Sequence, residues 1–235
     1  MLALPFALAL LAAAPAAPDP AAAQPPTAAP APAAETSAID RAADLIGAGK
    51  PAEAVALLDT MIAAQEANLK GETRQVYCAR SPVESLSYTV HAASEHKAAI
   101  VLTQDSCYAL FLKGFALIDL NRGDEARAWL ERAVAMAPSN AHFLGELGEW
   151  YKVRKDYKTA RALFQRAVDA SDLSPDNRKV FDKTRGLRGL GYILIEEGKL
   201  DEADSLYRQC LRLDPTDERS KKQLDYIAEH RGKKI

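Results

Sequence analysis

From Ser37 onward, apolar residues return every three or four positions, and the returns come in pairs of short blocks split by turn residues. Ile39, Ala42, Ala43 and Ile46 mark one block, Gly47 to Pro51 a turn, and Val55, Leu58, Met61 and Ile62 a second block. This spacing predicts a helix–turn–helix unit near 37–67. Similar pairs are predicted over 107–140, 141–174 and 184–217, with turns at Asn121-Arg122-Gly123-Asp124 and Glu197-Gly198-Lys199, where glycine is expected to take positive φ. Pro138 and Pro215 close second helices. Beyond Pro215, Leu224 and Ile227 share one face and Arg219, Lys221, Lys222 and Glu229 the other, which predicts a capping helix over 218–231.

The pairs are copies of one another. Moving 34 residues on from Cys107 puts Gly114 on Gly148, Ala126 on Ala160, Leu130 on Phe164, Ala133 on Ala167 and Val134 on Val168. A further step of 43 residues brings Gly191, Ala203, Tyr207, Cys210 and Leu211 to the same places, so about nine extra residues, near Ser174 to Lys183, interrupt the phase. They read as a solvated loop. The glycine belongs where the first helix presses on its own second helix, the alanine where the next helix approaches, and the large residue four places later in the groove between helices.

With Leu147-Gly148, Tyr151, Ala160, Phe164 and Ala167 in one copy and Leu190-Gly191, Ala203, Tyr207 and Pro215 in another, the pattern resembles the tetratricopeptide repeat (TPR) family. The resemblance implies an all-α, right-handed α-solenoid of helical hairpins with a C-terminal capping helix. It also implies a protein-binding module rather than an enzyme. Between Asn68 and Ser106 the pattern degrades. A degenerate unit over 73–106 places Ala92 and Ala99 correctly, but Pro82 falls inside its first helix, and Ala98 to Leu102 reads equally as helix or strand.

Residues 1–36 contain no Lys or Arg. Leu2 to Ala14 is an apolar run of 13 residues, short for a membrane span and suited to a signal peptide over 1–23, with Ala14-Pro15-Ala16 or Ala21-Ala22-Ala23 as cleavage site. The usual basic start is missing, and an uncleaved anchor is the alternative. Residues 24–36 read as an Ala/Pro-rich linker. A periplasmic or secreted location is expected, with membrane contact only if the N-terminal segment stays attached.

The formal net charge of −2 offers nothing to steer the chain toward nucleic acid. His91, His96, His142 and His230 lack metal-ligand spacing, no phosphate-binding loop or nucleophile elbow occurs, and neither a cofactor, a metal nor a small-molecule substrate is expected. Cys210 sits at a buried small-residue position. Cys78 and Cys107 flank the irregular segment and are either a disulfide, worth roughly 3–4 kcal/mol by loop closure, or two unrelated thiols.

In the resembled architecture the first helices line a concave groove. Groove positions here hold Tyr108, Phe111, Phe115 and Ile118, then His142, Glu149 and Lys152, then Arg185, Arg188 and Tyr192. The expected partner is another protein, held as an extended segment or helix by apolar anchors and rim charges. Self-association within a cell-envelope assembly is the alternative. Some relatives clamp a terminal carboxylate with Lys, Asn and Arg, but the asparagines are missing at the matching positions here.

Overall fold

The computed structural model describes residues 37–231, and the signal-peptide and linker readings lie outside them. Helices α1 (Ala38–Gly47) and α2 (Pro51–Asn68) form the first hairpin, α4 (Gln104–Asp119) and α5 (Gly123–Met136) the second, α6 (Ala141–Val153) and α7 (Tyr157–Ala170) the third, and α8 (Asp176–Glu196) and α9 (Leu200–Leu213) the fourth. Helix α10 (Glu218–His230) caps the stack, burying Ile227 against Tyr207 and Leu194. The fold is an all-α, TPR-like solenoid. Among the described residues no helix is long and apolar enough to cross a membrane.

The four hairpins turn by one device. Gly49, Asn121, Lys155 and Gly198 each take φ between 57° and 72° just past a first helix. In each case the next N–H reaches back five residues, as Arg122 N donates to Leu117 O at 2.8 Å and Lys199 N to Leu194 O at 2.8 Å. Asn121, not Gly123, makes the bend in the second hairpin. Gly123 instead opens α5, where a Cβ would press on the Arg154 guanidinium.

Packing inside each hairpin follows the repeat. A Cβ on Gly114 would fall 2.8 Å from Leu130, on Gly148 2.8 Å from Phe164, and on Gly191 2.8 Å from Tyr207. Phe164 is doubly seated, since a Cβ on Gly189 of the next hairpin would lie 2.5 Å from its ring. The second-helix alanines Ala126, Ala160 and Ala203 are fully buried. Cys210 is also buried, its Sγ 3.6 Å from Thr184 O, and burial pushes its thiol up to about 11.

Two departures from the repeat correct the sequence reading. Residues 73–106 are not a degenerate hairpin. β1 (Gln75–Ala79), α3 (Pro82–Ser94) and β2 (Ala99–Thr103) form a βαβ insert with the two strands parallel, Gln75 opposite Ala99 through Ala79 opposite Thr103. The strand AIVLT carries three β-branched residues and QVYCA the strand formers Val76 and Tyr77, and Pro82 suits the first turn of a helix whose N-cap Ser81 accepts from Glu84 N at 3.2 Å. Tyr77 of β1 stacks on Tyr88 of α3 at 5.1 Å. The nine extra residues near Ser174 are likewise no loop. After one 3-10 turn (Ser171–Leu173) they lengthen α8 to 21 residues.

The departures meet. The Arg80 guanidinium, almost fully buried, donates to Glu84 Oε1 at 2.7 Å, Asp182 Oδ2 at 3.0 Å and Ser174 Oγ at 3.0 Å, while Ser174 Oγ donates to Asp182 at 2.7 Å. Ser81 Oγ donates to Leu173 O, and Tyr88 Oη accepts from Ser139 N at 3.2 Å. The insert thus lies along the loops that join successive hairpins. A disulfide between Cys78 of β1 and Cys107 of α4, with Cα atoms 6.1 Å apart, completes its attachment.

Candidate partner-binding face

First helices α4, α6 and α8 carry the sequence-predicted groove positions, and the structure gathers most of them around two clefts. The first, of about 330 Å³, lies between α1 and α4, floored by Tyr108, Phe111 and Phe115 and edged by Ile46, His142 and Glu146. The second, of about 350 Å³, lies between α6, α8 and α10 and holds Glu149, Lys152, Arg185, Arg188 and Tyr192 together with Arg219 and Lys222. Glu146 borders the first cleft and Arg185 the second, and their ion pair at 2.6 Å is the wall between them. Burial pushes the Glu146 carboxyl up, against the pull of Arg185.

The apolar cleft is partly interior. Phe111 stacks on Phe143 at 4.8 Å and is only 4% exposed, so it belongs to the packing between α4 and α6 rather than to a contact surface. Phe115 and Ile118 remain exposed at 37% and 42%, and Tyr108 is half-buried. Helix α1 covers the rest of the ring cluster with Ala43 and Ile46. His142 tilts over Phe111 at 5.0 Å, and burial, aided by Arg185, pushes its imidazole down to about 4.

The second cleft is cationic after its pairs are counted. Lys152 pairs with Glu149 at 2.5 Å and sits 4.6 Å over the Tyr192 ring, and Arg188 pairs with Asp217 at 2.7 Å. Asp217 also accepts from Arg219 N and Ser220 N, so Arg188 helps cap α10 rather than standing free. Arg219 and Lys222 make no ion pair among the described residues. These two cations come from the capping helix, where the sequence shows them only as members of its polar face. Their signal was the i, i+3 spacing on one face. Among the described residues no three His, Cys, Asp or Glu side chains cluster as a metal site.

Stacked helical hairpins joined by short turns, with first helices lining one face, define a repeat-built interaction module. Tetratricopeptide repeat models match residues 36–60, 111–176 and 184–217, together more than half of the chain, and the chain belongs to the tetratricopeptide repeat family. No curated protein sequence matches it. Among solved structures it is similar to a Podosopora anserina protein with kinesin-light-chain-type, TPR-like repeats (16% identity, 82% of this chain and 84% of that one, TM-score 0.54). It is also similar to a MamA RS-1 double mutant (15% identity, 83% and 84%, TM-score 0.51). The first TPR of Spaghetti (RPAP3), solved with an HSP90 peptide, matches 52% of this chain and 90% of its own at 20% identity and TM-score 0.45.

Proposed function

We propose that the chain is a non-catalytic adaptor that holds a segment of a partner protein along the face built by α4, α6 and α8. The observation that carries this reading is the pairing on one face of an apolar cleft with a cationic one, divided only by the Glu146–Arg185 pair. A segment bound across both carries an apolar side chain for Phe115 and Ile118 and acidic side chains for Arg219 and Lys222. The exposed pair Phe115 and Ile118 supplies buried area, and the unpaired cations supply orientation and on-rate. The adaptor works in the periplasm or outside the cell. The Cys78–Cys107 disulfide supports an oxidising compartment, as does the apolar run Leu2 to Ala14.

The test is capture from an envelope extract by the full chain, with the bound segment mapped by cross-linking. Phe115→Ala with Ile118→Ala, and Arg219→Ala with Lys222→Ala, are compared with the parent. Loss of the same partner in both variants is expected, and salt is expected to weaken only what the cationic pair contributes. A partner retained by both variants places binding on another surface and removes this reading.

A further inference from the structure

Helices α6 and α8 meet as a ladder. Steps of three and four residues put His142, Glu146 and Glu149 on one side and Asp182, Arg185 and Arg188 on the other. The middle rung is closed by Arg185 and Glu146 at 2.6 Å. The end rung, where Asp182 meets the βαβ insert through Arg80, is open. There His142 Nδ1, Asp182 Oδ1 and Arg185 Nε are all buried without a hydrogen-bond partner among the described residues.

Gly145 sets the place of Arg185. The arginine stem lies across it, since a Cβ on Gly145 would fall 3.1 Å from Cδ and 3.3 Å from Nε. With no Cβ there, Nη1 reaches Glu146 while Nε stays beside the turn of α6 that carries His142. Chemistry then fixes the imidazole proton. An arginine Nε–H only donates and a carboxylate oxygen only accepts, whereas the Nδ1 of a neutral imidazole does either. Asp182 is already served: its Oδ2 accepts from Arg80 and Ser174, and its Oδ1 has Arg178 Nη2 at 3.7 Å. Arg185 Nε has nothing. A bare Nδ1 turned to Arg185 leaves the proton on Nε2. That nitrogen is the one not enclosed, because His142 edges the apolar cleft and only its Nδ1 is both buried and unpartnered.

What this N–H can receive is limited from both sides. A carboxylate would meet Glu146 on the same edge of the cleft, and an ammonium would meet Arg185 and Arg178, whose charges bear on His142. A neutral carbonyl oxygen beside an apolar side chain satisfies both limits, and a peptide main chain carries one at every residue. We propose that Arg185 holds His142 as the Nε2–H tautomer, and that this N–H donates to a main-chain carbonyl of the bound segment, next to the apolar side chain seated on Phe115. The carbonyl rests on the adaptor reading above; the tautomer does not.

Long-range proton–nitrogen spectra of the full chain with isotope-labelled histidine, taken near neutral pH, test the tautomer without any partner. His142, assigned by its loss in His142→Phe, is expected to show a protonated Nε2 and a bare Nδ1. Arg185→Lys, which keeps the charge for Glu146 but has no Nε–H, is expected to give a mixture of tautomers. The carbonyl is tested by titrating in N-acetyl-leucine methylamide. The Nε2 proton is expected to move downfield as the probe saturates, and His142→Phe to weaken the probe about fivefold, as the loss of one neutral hydrogen bond does. Circular dichroism checks that both variants keep their helices. A protonated Nδ1, a tautomer indifferent to Arg185→Lys, a probe that fails to bind, or one that binds without moving the Nε2 proton overturns the proposal. Should these results hold while capture from the envelope extract fails, the adaptor reading falls and the His142 assignment stands.

Discussion

The hairpins and the βαβ insert are held by opposite means. Each hairpin is fixed by many small fits with its immediate neighbours, such as Phe164 seated between Gly148 and Gly189 or Tyr207 against Gly191. The insert has a small core of its own, centred on Tyr77, Tyr88 and Ala92. It is held to the hairpins by a few specific attachments: one disulfide, one buried arginine, one serine hydroxyl and one tyrosine hydroxyl. Dispersed packing tolerates the loss of any single contact in part, because neighbours relax. A buried charge that loses its partner has no such relief.

The comparison is sharpest at Arg80. Arg80→Ala strands Glu84 and Asp182 in the interior and is expected to destabilise by about 3–5 kcal/mol. Hydrogen exchange should rise first in β1, α3 and the start of α8. Phe164→Ala removes a ring of similar weight from the repeats, at about 3–5 kcal/mol, but its exchange should rise across α6 to α9. Identical exchange maps for the two variants would erase the distinction. Next comes the double replacement Cys78→Ser with Cys107→Ser, expected to cost about 2–4 kcal/mol in chemical denaturation, mostly through the unfolded chain. A cost below about 1 kcal/mol would show that the Arg80 network alone seats the insert. Smallest is a pH effect at the seam between α6 and α8. His142 is neutral in the fold because burial lowers its pKa from 6.5 to about 4. The unfolded chain therefore binds the extra proton between those values, and this stabilisation is complete above 6.5 and fades as pH falls toward 4. In denaturant titrations at stepped pH, His142→Gln should flatten that slope.

The hairpins were legible because their signals are local and repeated. Gly, Ala and a large residue at fixed offsets name both the helix and its contact, and the 16-residue offset from Gly148 to Phe164 is visible in three copies. The insert was not legible as a fold because its logic is long-range. Nothing near Arg80 announces Asp182, 102 residues away. The strand AIVLT was ambiguous since a short apolar run satisfies either period. Its crossover helix hides further because Glu84 faces inward and Leu86 outward, the reverse of the usual pattern. On the candidate face, the sequence placed Phe115, Lys152 and Tyr192 at cleft positions but also Phe111, which the stack of Tyr108 and Phe143 absorbs. Groove position says which way a residue points along a helix, not how far the adjacent helix stands off.

The interlock of Arg80 with Ser174 and Asp182 has a consequence for how such a chain changes over time. Repeat arrays usually gain, lose and exchange units freely, because each unit meets only its neighbours. Here the two interruptions of the 34-residue phase complete each other, one bringing the guanidinium and the other the oxygens that receive it. Deleting either alone leaves buried polar groups unmatched. The stretch from β1 to the start of α8 is therefore transmissible only whole, a block of fixed grammar within an otherwise modular array.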